Sequence, residues 1–173
     1  MKLKVLTIAI ALSLFLVTSA CSKQPARTYK NSATTALEQA DLKDVSVSED
    51  TDKNTITLGG TLHSEDAKQR AAYVAKANAG TRIVVNEVSV QPVGLESEAK
   101  SIASNLDDGI ENNYKAVLVA KGLDKEHISF DAKNGVLTLK GNVRTTSKRK
   151  EAEQLAQAVP NVQQVLNEID VKR

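Results

Sequence analysis

The sequence predicts an α+β protein of two tandem αββαβ modules, each a three-stranded sheet with two helices on one face, joined by a helical linker. Three observations lead there. An offset of 81 positions lays Thr35 to Val90 on Ala116 to Val171 without a gap, pairing Leu37 with Leu118, Leu58 with Leu139, Gly60 with Gly141, Ala71 with Ala152 and Asn86-Glu87 with Asn167-Glu168. Asn134-Gly135 stands between two alternating apolar runs, the strongest short-range sign of a β-hairpin. Apolar residues at three- and four-residue spacing flank that hairpin on both sides, as helices require.

The second copy carries the clearer signals. Ala99, Ile102, Ala103, Leu106, Ile110, Tyr114, Val117 and Leu118 line one helical face. Glu96 and Glu98 suit the positive end of that helix, and Gly122 ends it near Lys121. Gly109 weakens the interior by about 1 kcal/mol relative to alanine, so a kink or a split into two helices is open there. Ile128 and Phe130 alternate with His127 and Ser129 in the first strand. In the second, Leu137, Leu139 and Val143 face the core, Thr138 and Lys140 face out, and Gly141 falls on the core side where a helix approaches. Thr145 or Thr146 caps a second helix bearing Ala152, Leu155, Ala156 and Val159, which Pro160-Asn161 stops. A last strand sets Val165, Asn167, Ile169 and Val171 on one face.

The first copy repeats this plan with a shorter opening helix near Asn31 to Ala40, strands at Val45 to Glu49 and Thr55 to Leu62, a helix at Glu65 to Asn78 capped by Ser64, and a last strand at Ile83 to Val90. The second sheet face of each module is expected to be more open than the helix-covered one. Units this small bury little core, so the copies are expected to pack on each other.

The N-terminus reads as an export signal. Lys2 and Lys4 form a short basic region, Leu3 to Val17 is almost unbroken apolar sequence, too short to span a bilayer comfortably, and Thr18-Ser19-Ala20 leads into Cys21, the only cysteine. Val17 to Cys21 resembles the bacterial lipobox, with Thr18 where leucine is usual. That resemblance implies lipidation of Cys21 as the first mature residue. The expected organisation is a signal peptide at 1–20, a tether at 21–28, a first module at 29–91, a helical linker at 92–108 and a second module at 109–173. Removing Lys2 and Lys4 from the 23 Lys and Arg leaves 21 against 21 Asp and Glu, so the mature protein is formally neutral. No global basic field draws it to nucleic acid, and with no Trp and few other aromatics a base-stacking platform is hard to build.

The sequence Asn-Gly, Val, Leu-x-Leu-x-Gly-x-Val, a capped helix, then Val-x-x-Val-x-Asn-x-Ile-x-Val resembles the BON domain, an envelope module named for bacterial osmotically inducible and nodulation proteins. Gly135 to Val143 with Val162 to Val171 fits most closely, whereas Asn54-Thr55 replaces the Asn-Gly turn in the first copy. The resemblance implies a non-catalytic lipoprotein of the periplasm or outer membrane that binds phospholipid surfaces and supports envelope integrity or osmotic stress tolerance. Its alternative is a protein-interaction scaffold with envelope or secretion partners, or a peptidoglycan-associated module.

No cofactor, metal or catalytic constellation is expected. His63 and His127 occupy non-equivalent positions and read as surface histidines, and Asp107-Asp108 lacks the further oxygen ligands of a calcium loop. Asn86 and Asn167 place an amide on an otherwise apolar strand face, and with Gly60 and Gly141 they are expected to be structural, the amides bonding backbone groups of a neighbouring loop. The candidate anionic-lipid site is the basic run Lys140, Arg144, Lys148, Arg149 and Lys150, whose counterparts in the first copy are Gly59, His63, Ala67, Lys68 and Gln69. Cations in the first turns of a helix are misplaced unless a phosphate comes near. The expected partners are therefore membrane phospholipid, through lipidated Cys21 and anionic headgroups, and envelope proteins.

Overall fold

The structure, a computed structural model, describes residues 28–172. The export signal, Cys21 and most of the tether lie outside the described residues. The first module runs α1 (Lys30–Gln39), β1 (Val45–Asp50), β2 (Thr55–Leu62), α2 (Glu65–Asn78), β3 (Ile83–Asn86) and β4 (Ser89–Val90). The second runs α3 (Glu96–Ala120), β5 (His127–Lys133), β6 (Val136–Val143), α4 (Thr146–Gln157) and β7 (Gln164–Val171). In each sheet the hairpin strands pair antiparallel and the strand after the crossover helix pairs parallel to the middle one. Among the described residues no helix is long and apolar enough to cross a membrane.

Local chemistry sets these boundaries. Ser64 and Thr145 occupy equivalent N-caps, each side-chain oxygen accepting a backbone N–H three residues on at 3.2 Å. Asn134 and Gly135 both take positive φ (49° and 84°), the two-residue turn that matches strand twist. The first module's turn is longer: Asp50 Oδ1 accepts from the N–H groups of Asp52 and Lys53, and Asn54 takes the positive φ. Ile56, Leu58, Ala71 and Ala75 are buried in one core, and Leu137, Leu139, Ala152 and Ala156 in the other.

A third, smaller cluster joins the modules. Val85 of β3 packs against Leu166 of β7 and Val136 of β6. Val85 and Leu166 are equivalent residues, and the polar contacts around them come in related pairs. Lys53, on the first module's turn, bonds Glu168 at 2.7 Å. The second module's turn answers: Lys133 pairs with Glu87 at 2.8 Å, and Asn134 Nδ2 donates to the Glu87 carbonyl at 2.8 Å. Equivalent residues contacting reciprocal partners describe a local two-fold relation, a closed interface rather than a head-to-tail one. Gln164 departs from that symmetry. Its side chain donates to the Val84 carbonyl at 2.9 Å and accepts from Asn86 N–H at 3.3 Å, closing part of the β3 edge. Residues 28–172 thus hold both cores and their interface, a self-contained folding unit.

Several expectations change. The last strand of the first module breaks at Glu87 and Val88, where Glu87 turns its carbonyl and carboxylate to the second module and Asn86 Oδ1 accepts from Val88 N–H at 3.4 Å. Linker and opening helix form one continuous α3 through Gly109, around which nothing lies within 4 Å of an added Cβ. Its first half leaves the core: Ile102 and Leu106 are 59% and 46% exposed. Thr138 is buried, because Leu166, its register partner on the rear sheet face, lies in the inter-module contact. Gly141, at φ 108°, is approached by a strand and not a helix, since a Cβ there would overlap the His127 carbonyl oxygen of β5. Gly60 stands in the same relation to Asp44.

Candidate functional site: the basic face and the inter-module cleft

The basic run is divided by the fold. Lys140 lies exposed on β6, Arg144 follows β6, and Lys148, Arg149 and Lys150 sit in the opening turns of α4. Lys148 Nζ forms an ion pair with the Glu126 carboxylate. That bond, chiefly, holds Glu126 below the usual carboxylate range, and the charges of Lys148, Arg144 and His127 add to the effect. Arg149 donates to the Asn167 carbonyl at 3.3 Å. Lys140 and Arg149 share a shallow concavity of about 710 Å³ with Lys53 and Lys172, and also with Asp52, Glu168 and Asp170. Arg144, Lys148 and Lys150 lie off it. Arg144, Arg149 and Lys150 are exposed, and Lys148 is half-buried.

Asn86 and Asn167 each tie their strand to the crossover helix. Asn86 Nδ2 donates to the Lys68 carbonyl at 3.0 Å, and Asn167 Nδ2 to the equivalent Arg149 carbonyl at 3.3 Å and to Glu153 at 3.0 Å. The acceptors lie on helices, where a loop was expected. His63 Nδ1 lies 2.9 Å from the Gln91 carbonyl, and His127 is exposed. Asp107 accepts from Asn134 and Gly135 N–H at 2.8 and 3.0 Å, capping the hairpin turn.

Sequence reasoning missed Lys68. It stands opposite Arg149 in the repeat, yet only 5% of it is exposed. Nζ donates to the Asn134 carbonyl at 3.1 Å and more weakly to Gln163 Oε1 at 3.5 Å, both on the second module. Burial lowers its pKa, against the opposing charges of Glu65 and Asp107. The only sequence signal is that its position is basic in both copies.

The matched αββαβ units coincide with a known domain model: the BON domain matches residues 31–92 and 106–173. The chain belongs to the BON domain family. Osmotically-inducible protein Y of Escherichia coli (strain K12) is 29% identical over 137 residues, covering 79% of this chain and 67% of that protein. Two solved structures of CdsD, a structural protein of the type III secretion system of Chlamydia trachomatis, align at 14% identity with a TM-score of 0.34. These alignments cover 84% of this chain but 66% and 62% of those chains, less than two thirds of their length. Within the BON framework, the first module turns its crossover helix toward a neighbour, and the second turns the equivalent surface to solvent.

Proposed function

We propose that this chain is a non-catalytic envelope lipoprotein whose BON modules bind anionic phospholipid surfaces and support envelope integrity or tolerance of osmotic stress. Membership in the BON family and likeness to an osmotically inducible protein support the envelope and stress role. One observation carries the lipid contact. Arg144, Arg149 and Lys150 are exposed at the start of α4, whereas at the equivalent first-module positions stand His63, the buried Lys68 and Gln69. Near an anionic leaflet each such cation contributes about 1 kcal/mol, enough together to hold a tethered domain in one pose. Cys21 supplies the tether. Ser22 beside it is not the aspartate that resembles an inner-membrane retention signal, which favours an outer-membrane anchor facing the periplasm.

Two experiments test this reading. Fatty-acid labelling of cells expressing wild type or Cys21→Ala should show label only in wild type, and equal labelling contradicts the anchor. Residues 28–172 should co-sediment with vesicles containing phosphatidylglycerol, not with pure phosphatidylcholine, and release as salt rises. Negligible vesicle binding together with crosslinking to a defined envelope protein transfers the reading to a scaffold, and retention on peptidoglycan transfers it to the wall.

A further inference from the structure

A second site lies between the modules, away from the basic run. The first half of α3, the start of α2, β4 with Pro92 and the second module's 161–163 loop enclose a groove of about 500 Å³. Its walls are largely apolar: Val90, Ala99, Ile102, Ala103, Leu106 and Val162. Ile102 and Leu106 keep about half their surface in solvent (59% and 46%), which places an unfilled apolar strip along the groove. That volume falls within the roughly 300–1,000 Å³ of small-molecule sites, which pair apolar walls with a few polar groups. Here the polar lining includes Glu65, Asp107, Asn134 and Gln163, and its cation is Lys68.

Lys68 supplies the charge argument. Its ammonium has three donor positions, and its acceptors are one carbonyl at 3.1 Å and one amide oxygen at 3.5 Å. Among the described residues no carboxylate reaches it within ion-pair distance. The charges of Glu65 and Asp107 act on it only from beyond contact, so the buried ammonium keeps a donor position with no direct counter-ion. Two carboxylates also border the groove. Asp107 is committed to the hairpin N–H groups of Asn134 and Gly135, and Glu65 is exposed at the rim.

We infer that this groove binds a single-chain anionic amphiphile, its acyl chain along Ala99, Ile102, Ala103 and Leu106 and its carboxylate or phosphate on Lys68 Nζ. The site depends on the α3 segment before Asp108, which lies outside the repeated stretches Thr35 to Val90 and Ala116 to Val171. The inference goes beyond the membrane-surface reading and does not rest on it.

The probe is dodecanoate below its micelle concentration, titrated calorimetrically into residues 28–172. Saturable binding near one equivalent is expected, with dodecyltrimethylammonium binding at least tenfold more weakly. Lys68→Gln should weaken dodecanoate at least tenfold. Because Lys68 also bridges the modules, Ala103→Phe is the second variant: it fills the groove from a half-exposed position and should abolish binding while the melting curve stays wild-type. The Lys148→Gln, Arg149→Gln, Lys150→Gln triple variant should bind dodecanoate unchanged, whatever it does to vesicle binding. No saturable binding, equal binding of the cationic probe, or wild-type affinity in a folded Lys68→Gln or Ala103→Phe overturns the inference. Binding to phosphatidylglycerol vesicles without binding to monomeric dodecanoate overturns it as well.

Discussion

The two modules share a backbone plan but close the same end of their cores with opposite chemistry. In the first, Glu49 accepts from Arg82 Nε at 2.8 Å and from the N–H groups of Tyr29 and Lys30 at 2.9 Å. The Arg82 guanidinium also lies 5.8 Å from the Tyr29 ring centre. The side chains of Glu49 and Arg82 are only 4% and 9% exposed. The second module places Phe130, Gln163 and Ile110 at the positions of Glu49, Arg82 and Tyr29, and Tyr114 where the first has Ala33. Tyr114 is fully buried, meets Phe130 edge-on at 5.0 Å, and donates to the Ala152 carbonyl at 3.1 Å. Burial pushes its phenol well above the usual tyrosine range. One fold therefore tolerates either a charged clamp or an aromatic pair at this end, provided every buried polar atom is satisfied.

The comparison breaks most sharply at Tyr114. Tyr114→Ala installs the first module's residue but strands Phe130 and opens a cavity, so it should cost about 3–5 kcal/mol in urea melts. Next come the shared positions, which should not distinguish the modules. Gly60→Ala and Gly141→Ala each force a Cβ into a backbone carbonyl at positive φ, and each should cost about 2–3 kcal/mol. A large difference between the two would show that one sheet yields where the other does not.

Glu49→Gln should cost about 2 kcal/mol at neutral pH, as the charge-assisted hydrogen bonds weaken. Burial alone would raise the pKa of Glu49, but the bonds from Arg82, Lys30 and Tyr29 outweigh it and hold it below the usual range. The stability it adds is therefore complete above about pH 4.3, the unfolded value, and is lost as pH falls through the lower folded value. Melts of wild type and Glu49→Gln should differ at pH 7 and converge in that acid window. Phe130 gives the second module no such dependence. The smallest effect belongs to the basic run: replacing Lys148, Arg149 and Lys150 with Gln removes a surface ion pair to Glu126 and the Arg149 bond to the Asn167 carbonyl, and should shift the urea midpoint least of these variants.

What was legible in the sequence follows from periodicity. The limits of β2 and α2, the Asn134-Gly135 turn and both helix caps depend on local patterns that neighbouring residues declare. Contacts between modules have no such signature. Ile102 and Leu106 continue the apolar rhythm of Ile110 and Tyr114, and spacing alone does not separate a core face from the wall of a groove. Thr138 looks like a solvent-facing strand residue until Val85 packs beside its neighbours, and Glu49 with Arg82 looks like two surface charges until the chain brings them together over a span of 33 residues. The basic run was visible as a run, but not its partition between the Glu126 ion pair and the concavity of Lys140 and Arg149.

The central claim is that the second module's cations make the membrane contact. Its most direct test is vesicle co-sedimentation of residues 28–172 with phosphatidylglycerol, comparing wild type, the Lys148→Gln, Arg149→Gln, Lys150→Gln variant, and a first-module control, Arg70→Gln with Lys76→Gln. The account predicts that the second-module variant loses at least tenfold in affinity together with most of the salt dependence, while the first-module control binds as wild type. Equal binding by all three proteins, or a loss confined to the first-module control, would contradict it.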